Sequence, residues 1–493
     1  MSFNSIEFAI FLPIVFIAYW LLKNKNLRYQ NILLLIASYV FYGWWDLRLL
    51  SLLIILSVSN YLIGIYINKN EIDRKRKNWM IAGLVINLGV LVIFKYFNFF
   101  IDSFIDLLSL AGYNLPRSTT KIILPVGISF YVFLSLSYIL DIYKRTLNAD
   151  KNIIEVLLSL GFFPIILAGP IQRPSTLIPQ ISQKREFNYD QTFDGLGQIL
   201  WGLFVKVVIA DNLALYADDF FHNYSNYSGS TLLLGAVFYT IQIYADFSGY
   251  SNMAIGVAKL FGFSLMRNFA YPYFSRDITE FWKRWHISLT TWFRDYLFLP
   301  LSFAVSWKIK GSKVFYIKTD LFIYIVASTV TWFLTGLWHG ANYTYILWGM
   351  IHGLLLIVYH IQRNPRKKLF KKIGITNDHL VIRIFETIIT LFVVIIAWIF
   401  FRADNISIAI KYLSNMFSSS LFTYPTIFPV DLIVIILLFI MTEWISREKL
   451  HPFQFDSNKK LNIVLRPVLI SIVIWAIILW GAFKNKEFIY FHF

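Results

Sequence analysis

Two histidines stand where an imidazole could do acid–base work: His286 in FWKRWHISLTTWFRDY and His339 in LTGLWHGANYT. Histidine titrates nearest neutral pH, so each could take or give a proton under physiological conditions. Each also has a plainer reading. Treated as a helix, Asp277 to Pro300 places Ile278, Phe281, Trp282, Trp285, Leu289, Trp292, Phe293 and Tyr296 on one apolar face. His286 falls at the edge of that face, where packing or hydrogen bonding would account for it as well. Gly336 and Gly340 bracket His339, which suits a narrow channel and tight helix packing equally. Asp246, in the apolar stretch Leu232 to Phe263, is a third candidate, because a carboxylate inside such a segment is costly and commonly marks a site. Its alternative is a hydrogen-bonded pin, with Gln242 and Tyr250 one turn away on either side. His352, in the next apolar stretch, reads as structural. His222, His360, His379, His451 and His492 fall near loops or span ends and read as surface residues. No metal is expected, since neither His286 nor His339 has a histidine or carboxylate at ligand spacing. With no cysteine in the chain, thiolate ligands, a cysteine nucleophile and disulfides are excluded.

The elements that would hold these residues are membrane spans. Of 493 residues, 57% are hydrophobic and only 15% charged, and apolar runs near the length of a bilayer crossing recur along nearly the whole chain. We read an all-α polytopic membrane protein with about eleven or more spans, some broken or re-entrant, and an amphipathic interfacial helix lining a central channel. It forms a single membrane domain over 1–493, divided into N-terminal spans (1–120), a catalytic core (121–360) and C-terminal spans (361–493). No soluble domain is large enough to carry the chemistry. The net charge of +17 sits in short loops, the pattern of cytoplasmic loops rather than of a nucleic-acid surface, so no nucleic-acid partner is expected.

Basic runs after the first and third spans, the stronger being Asp73 to Lys77, put those loops in the cytoplasm and the N-terminus outside; Arg363 to Lys372 is expected inside too. Between Ile122 and Pro170, Pro125, Gly127, Gly161, Pro164, Gly169 and Pro170 interrupt apolar runs, and broken helices at membrane depth are tolerated only where they are buried or line a cavity. The helix of Asp277 to Pro300 takes Asp277 as N-cap, Glu280 as the second half of a capping box, and Pro300 as its stop. Lys283, Arg284 and Arg294 lie off its apolar face.

With these pieces in order, the sequence resembles the membrane-bound O-acyltransferases, and most closely the bacterial branch of alginate O-acetylation membrane subunits. The matching segments run from end to end: FNSIEFAIFLPIVFIAYW, PVGISFYVF, GFFPIILAGPIQRP, WGLFVKVVIADNLA, IQIYADFSGYSNMAIGVAKLFGF, FWKRWHISLTTWFRDYLFLPL, LTGLWHGANYTYILWGMIHG, FFRADN and FIYFHF. The last differs from the commoner FIYFQF by His492, to which we attach no function. The resemblance implies that His339 is catalytic and that His286 lines the reaction channel from the cytoplasmic side. As a channel-lining group, His339 is expected to contribute little to packing. Arg294, with Lys283 and Arg284, could hold donor phosphates, and Asp246, Trp285 and Asn342 are expected beside substrate within three of the motifs. No bound cofactor is implied; the donor is acetyl-coenzyme A or another acyl thioester. The implied partners are the lipid bilayer, an acceptor polysaccharide of the cell envelope and an extracytoplasmic acetyltransferase protein, with the chain multi-pass in the bacterial cytoplasmic membrane. Within the family, D-alanyl transfer to teichoic acid from a carrier-protein thioester is the alternative, and the spans after Phe401 favour the acetyl branch. From another class, a polysaccharide transporter or lipid flippase would also use broken helices and an intramembrane acid, but no inverted repeat supports it.

Overall fold

The computed structural model describes residues 1–113, 116, 122, 124–149, 151–372, 379–454, 460–483 and 488–489; part of 101–120 and His492 lie outside them. Among the described residues seven helices are long and apolar enough to cross a bilayer, and four shorter apolar helices accompany them. This matches the expected all-α polytopic membrane protein. Rows such as Ile384, Phe385, Ile388 and Phe392 stay exposed along one helix, the surface a span offers to lipid rather than water.

The chain divides into two compact units. The first comprises Met1–Ile199 and Tyr250–Met266. Its helices are α1 (Ile6–Leu21), α2 (Leu27–Gly43), α3 (Leu47–Lys69), α4 (Asp73–Leu110), α5 (Ile128–Tyr143), α6 (Ile153–Gly161) and α7 (Pro174–Ser182). Ser5, Asn26 and Asp46 cap the first three through their side chains, satisfying amides that the first turn leaves open. Helix α5 is buried on all sides from Ile128 to Ile139. It starts at Gly127, whose φ of 75° and whose Cβ position, 2.5 Å from the Ile166 carbonyl oxygen, exclude other residues. Not all of the DRKRK run is solvated. Arg76 is buried and donates to the carbonyls of Ile67, Ile142 and Tyr143, closing the C-terminal ends of α3 and α5.

The second unit comprises Leu200–Gly249 and Arg267–Phe493. The chain passes between the units within α8 (Tyr189–His222) and α9 (Gly229–Leu260). The expected single helix of Asp277 to Pro300 is instead broken into α10 (Ile278–Arg284) and α11 (Ile287–Phe293), followed by a π-helical turn, Arg294–Phe298, and α12 (Leu299–Lys308). Asp277 is the N-cap as expected, accepting from the Glu280 amide, but the Glu280 carboxylate reaches the Arg276 amide, one residue before the cap. Pro300 does not stop the chain. It sits in the first turn of α12, where the missing amide is tolerated. A hairpin of β1 (Lys313–Val314) and β2 (Ile317–Lys318) leads to α13 (Thr319–His339), then α14 (Tyr343–Lys372), α15 (Leu380–Arg402), α16 (Ile406–Met416), α17 (Val430–Ile445) and α18 (Lys460–Trp480). His222, His360 and His379 are exposed as expected, whereas His451 is buried, at 1% exposure.

Candidate active site

The break between α10 and α11 falls at His286. Its backbone takes the left-handed conformation, φ 41°, uncommon for a residue with a side chain. Asn268 holds it there from eighteen positions away. The Asn268 carbonyl accepts from the Ile287 amide at 2.8 Å, and Asn268 Oδ1 accepts from the Ser288 hydroxyl at 2.9 Å and amide at 3.3 Å. Asn268 Oδ1 also meets His286 Nδ1 at 3.0 Å. A backbone amide only donates, so the atom facing it is the side-chain oxygen, and His286 Nδ1 must be the protonated nitrogen. That assigns the lone pair to Nε2. The ring is fully buried, with Phe247 edge-on at 4.6 Å between centroids and Trp338 at 6.0 Å. Burial holds this imidazole well below its ordinary pKa range, so it is neutral at physiological pH.

His339 is the last residue of α13 and is also buried. Trp338 and Trp348 each lie 4.8 Å from its ring and Phe401 lies at 5.1 Å. One indole, Trp338, thus lies within 6.0 Å of both motif histidines. The glycines around His339 serve close packing: a Cβ on Gly336 would meet the Tyr345 carbonyl oxygen at 2.4 Å, and one on Gly349 would meet the Trp332 carbonyl oxygen at 2.3 Å. Helices α13 and α14 therefore cross backbone to backbone. This resolves the earlier pair of readings towards packing, and it also corrects the expectation that His339 has little packing role.

His352 joins the same group. It is fully buried, its Nδ1 accepts from Trp282 Nε1 at 3.3 Å, and Trp348 stands between it and His339, 4.9 Å from the His352 ring. Trp282 in turn forms part of a cleft of about 470 Å³, lined by Lys283, Thr290 and Arg294 on the α10–α11 side and by Tyr324, Thr331 and Thr335 on α13. Phe298, one turn beyond Arg294, meets Tyr324 at 6.0 Å, and Arg294 lines the cleft together with Ser328 and Thr331 of α13. Thr335 is one turn before His339. The eleven-residue interval from Tyr324 to Thr335 gives the cleft a run of roughly 16 Å along the helix.

The remaining predicted residues fall elsewhere. Arg284 pairs with Glu280 at 2.6 Å and reaches the Ala270 carbonyl, a local tie. Trp285 is committed to packing, with Trp398 at 4.9 Å and Phe269 at 5.1 Å. Asn342 accepts from the Thr344 amide and donates to the Asp404 carbonyl, fixing the turn after α13. Asp246 is a pin, but not to Gln242 or Tyr250. It pairs with Lys206 at 2.7 Å, Lys206 also reaches Asp211 at 2.8 Å, and Asp246 Oδ2 accepts from the Ile489 amide at 2.8 Å. The neighbouring Phe247 packs on both His286 and Phe488. Sequence reasoning missed Asn268, Lys206 and Trp348. Only Lys206 carried a signal, as a cation within an apolar run. Among the described residues no three histidine or carboxylate side chains converge as metal ligands.

The arrangement offers a mostly apolar cleft with Lys283 and Arg294 on its wall and, one helical turn beyond Thr335, the buried ring of His339, a setting in which a proton could be moved away from water. Residues 143–403 match the model of the MBOAT, membrane-bound O-acyltransferase family. The chain is 41% identical to the probable alginate O-acetylase AlgI of Pseudomonas aeruginosa over 85% of its length and 75% of that protein. It is 32% identical to the peptidoglycan O-acetyltransferase of Helicobacter pylori, over 84% of this chain and 80% of that one. To the teichoic acid D-alanyltransferase of Bacillus subtilis it is 29% identical over 49% of its length and 60% of the relative. A multi-pass chain with this match and these relatives belongs to the membrane-bound O-acyltransferase family and is an O-acyltransferase.

Proposed function

We propose that this enzyme passes an acetyl group from a cytoplasmic thioester, acetyl-coenzyme A, to a hydroxyl on the outer side, for O-acetylation of an exported or cell-envelope polysaccharide. The observation that carries the reading is the cleft. It runs along α13 with Lys283 and Arg294 on its wall and ends one helical turn before His339. A phosphate-bearing donor would set its phosphates on the cations and its thioester at the far end. His339 then takes the proton from the acceptor hydroxyl, the oxygen attacks the thioester carbonyl carbon, the carbon–sulfur bond breaks, and the proton held by His339 passes to the departing thiolate to give the thiol. His286, with its lone pair on Nε2, serves the donor side of the same step.

Both acetyl-transferring relatives align over more than four-fifths of this chain, the D-alanyl-transferring one over about half. That favours acetyl over D-alanyl. Those two relatives are named for alginate and peptidoglycan, which supports a glycan acceptor, delivered with an extracytoplasmic partner protein. The chain would lie in the bacterial cytoplasmic membrane with its N-terminus outside and the basic helix ends at Asp73 to Lys77 and Arg363 to Lys372 inside. The test is mass spectrometry of envelope glycans from cells with and without this chain. O-acetyl groups should disappear with it; their persistence, or loss of the whole glycan, would refute the reading, the latter in favour of transport.

A further inference from the structure

The connection between α12 and α13 is built against the rules for a hairpin in water. Lys313 pairs across the strands with Lys318, and Val314 with Ile317. Like charges directly opposite one another repel. The two-residue loop is Phe315–Tyr316, with φ of 45° and 65°. Loops with both central residues at positive φ are the province of Asn and Gly, and bulky aromatic residues there are strained. Both rings are nonetheless left out, Phe315 at 83% and Tyr316 at 98% exposure, with Trp307 at the end of α12 at 85%. Lys308, Lys310, Lys313 and Lys318 are all exposed, against one acid, Asp320.

These features share one environment that turns each to advantage. Aromatic rings settle at the headgroup level of a bilayer, and lysines beside an anionic leaflet gain from its surface potential. Position agrees. The hairpin leads directly into the span α13, and the Phe315 ring lies 6.4 Å from Phe322 in the first turn of that span, so the tip folds back against the helix. We propose that residues 307–318 form an anchor for anionic phospholipid headgroups, holding the end of α13 from which the cleft begins. The anchor stands whatever acyl group the enzyme transfers.

The full chain is tested in nanodiscs of phosphatidylcholine alone or of equal parts phosphatidylcholine and phosphatidylglycerol. Because the chain lacks cysteine, Tyr316→Cys can carry a single spin label. The label should favour oxygen over a water-soluble relaxant, more strongly in the mixed discs. Replacing all four lysines with Gln should abolish the difference between the two compositions. Phe315→Asn with Tyr316→Gly supplies the residues the turn prefers, so this variant should unfold in detergent at an equal or higher temperature than the parent, yet lose phosphatidylglycerol adducts in native mass spectrometry. Equal water access of the label in both discs would overturn the proposal. So would retention of the adducts by the Asn–Gly variant, or a lower unfolding temperature for it, which would show that protein contacts hold the tip.

Discussion

Replacing His339 separates chemistry from packing, provided the substitution is chosen with its surroundings in mind. The ring is enclosed by Trp338, Trp348 and Phe401 within 5.1 Å between centroids. His339→Ala would therefore leave a cavity, at a cost of about 2–4 kcal/mol by analogy with other large-to-small changes in cores. A fall in activity of that variant would be ambiguous. His339→Gln fills most of the space and keeps hydrogen-bonding capacity, but cannot take a proton near neutral pH. Loss of a positioned general base lowers the rate on the order of a hundred- to ten-thousand-fold, equivalent to roughly 3–5 kcal/mol of barrier. The assay is acetyl transfer by purified protein in nanodiscs, with kcat and KM determined for acetyl-coenzyme A and thermal unfolding measured in parallel. For Gln, kcat should collapse while KM and the unfolding midpoint stay near those of the parent. If Gln kept near-native kcat while Ala lost both activity and stability, His339 would be a packing residue. The base would then be sought at His286, whose Nε2 bears the lone pair, and after it at His352.

Three further outcomes follow from the same geometry. Arg294 has a side chain 58% exposed and pairs with its neighbour Asp295, so Arg294→Ala should leave stability unchanged within about 0.5 kcal/mol and raise the donor KM; an unchanged KM would return it to an anchoring role. Lys206→Met leaves Asp211 and Asp246 as buried carboxylates without their cation, and should destabilise by roughly 3–5 kcal/mol, read from thermal unfolding in detergent. Adding Asp246→Asn should recover part of that loss, and no recovery would mean the two do not act as a pair. Single cysteines at position 75 should label in permeabilised but not intact cells, and labelling of intact cells would invert the topology.

Much of the fold was legible because bilayer spans announce themselves by length and hydropathy, and the cap at Asp277 was written locally. What stayed hidden depends on partners far along the chain. An unbroken helical period runs through Trp285 and His286, and nothing near them predicts the break; Asn268 makes it by capturing the amides of Ile287 and Ser288. Asp246 likewise had plausible partners one turn away, but a buried carboxylate gains far more from an ammonium than from an amide or phenol, and that ammonium belongs to Lys206 on another helix. The motif histidines were visible by type and setting. The tryptophans that join them to one another and to His352 were lost in a sequence that is 19% aromatic.

The contact of α13 with α14 at Gly336 and Gly349 leaves no side chains between the two backbones. Interposed side chains are what let packed helices slide, since rotamer changes absorb small shifts, and here there are none to absorb them. The wall carrying His339 and His352 is in that sense a fixed bench. A machine that exposes its site alternately to either face needs a sliding joint, and this is not where one could be placed. Under the reaction proposed above, the two substrates would have to travel to such a bench and meet there, the chain moving a proton between them.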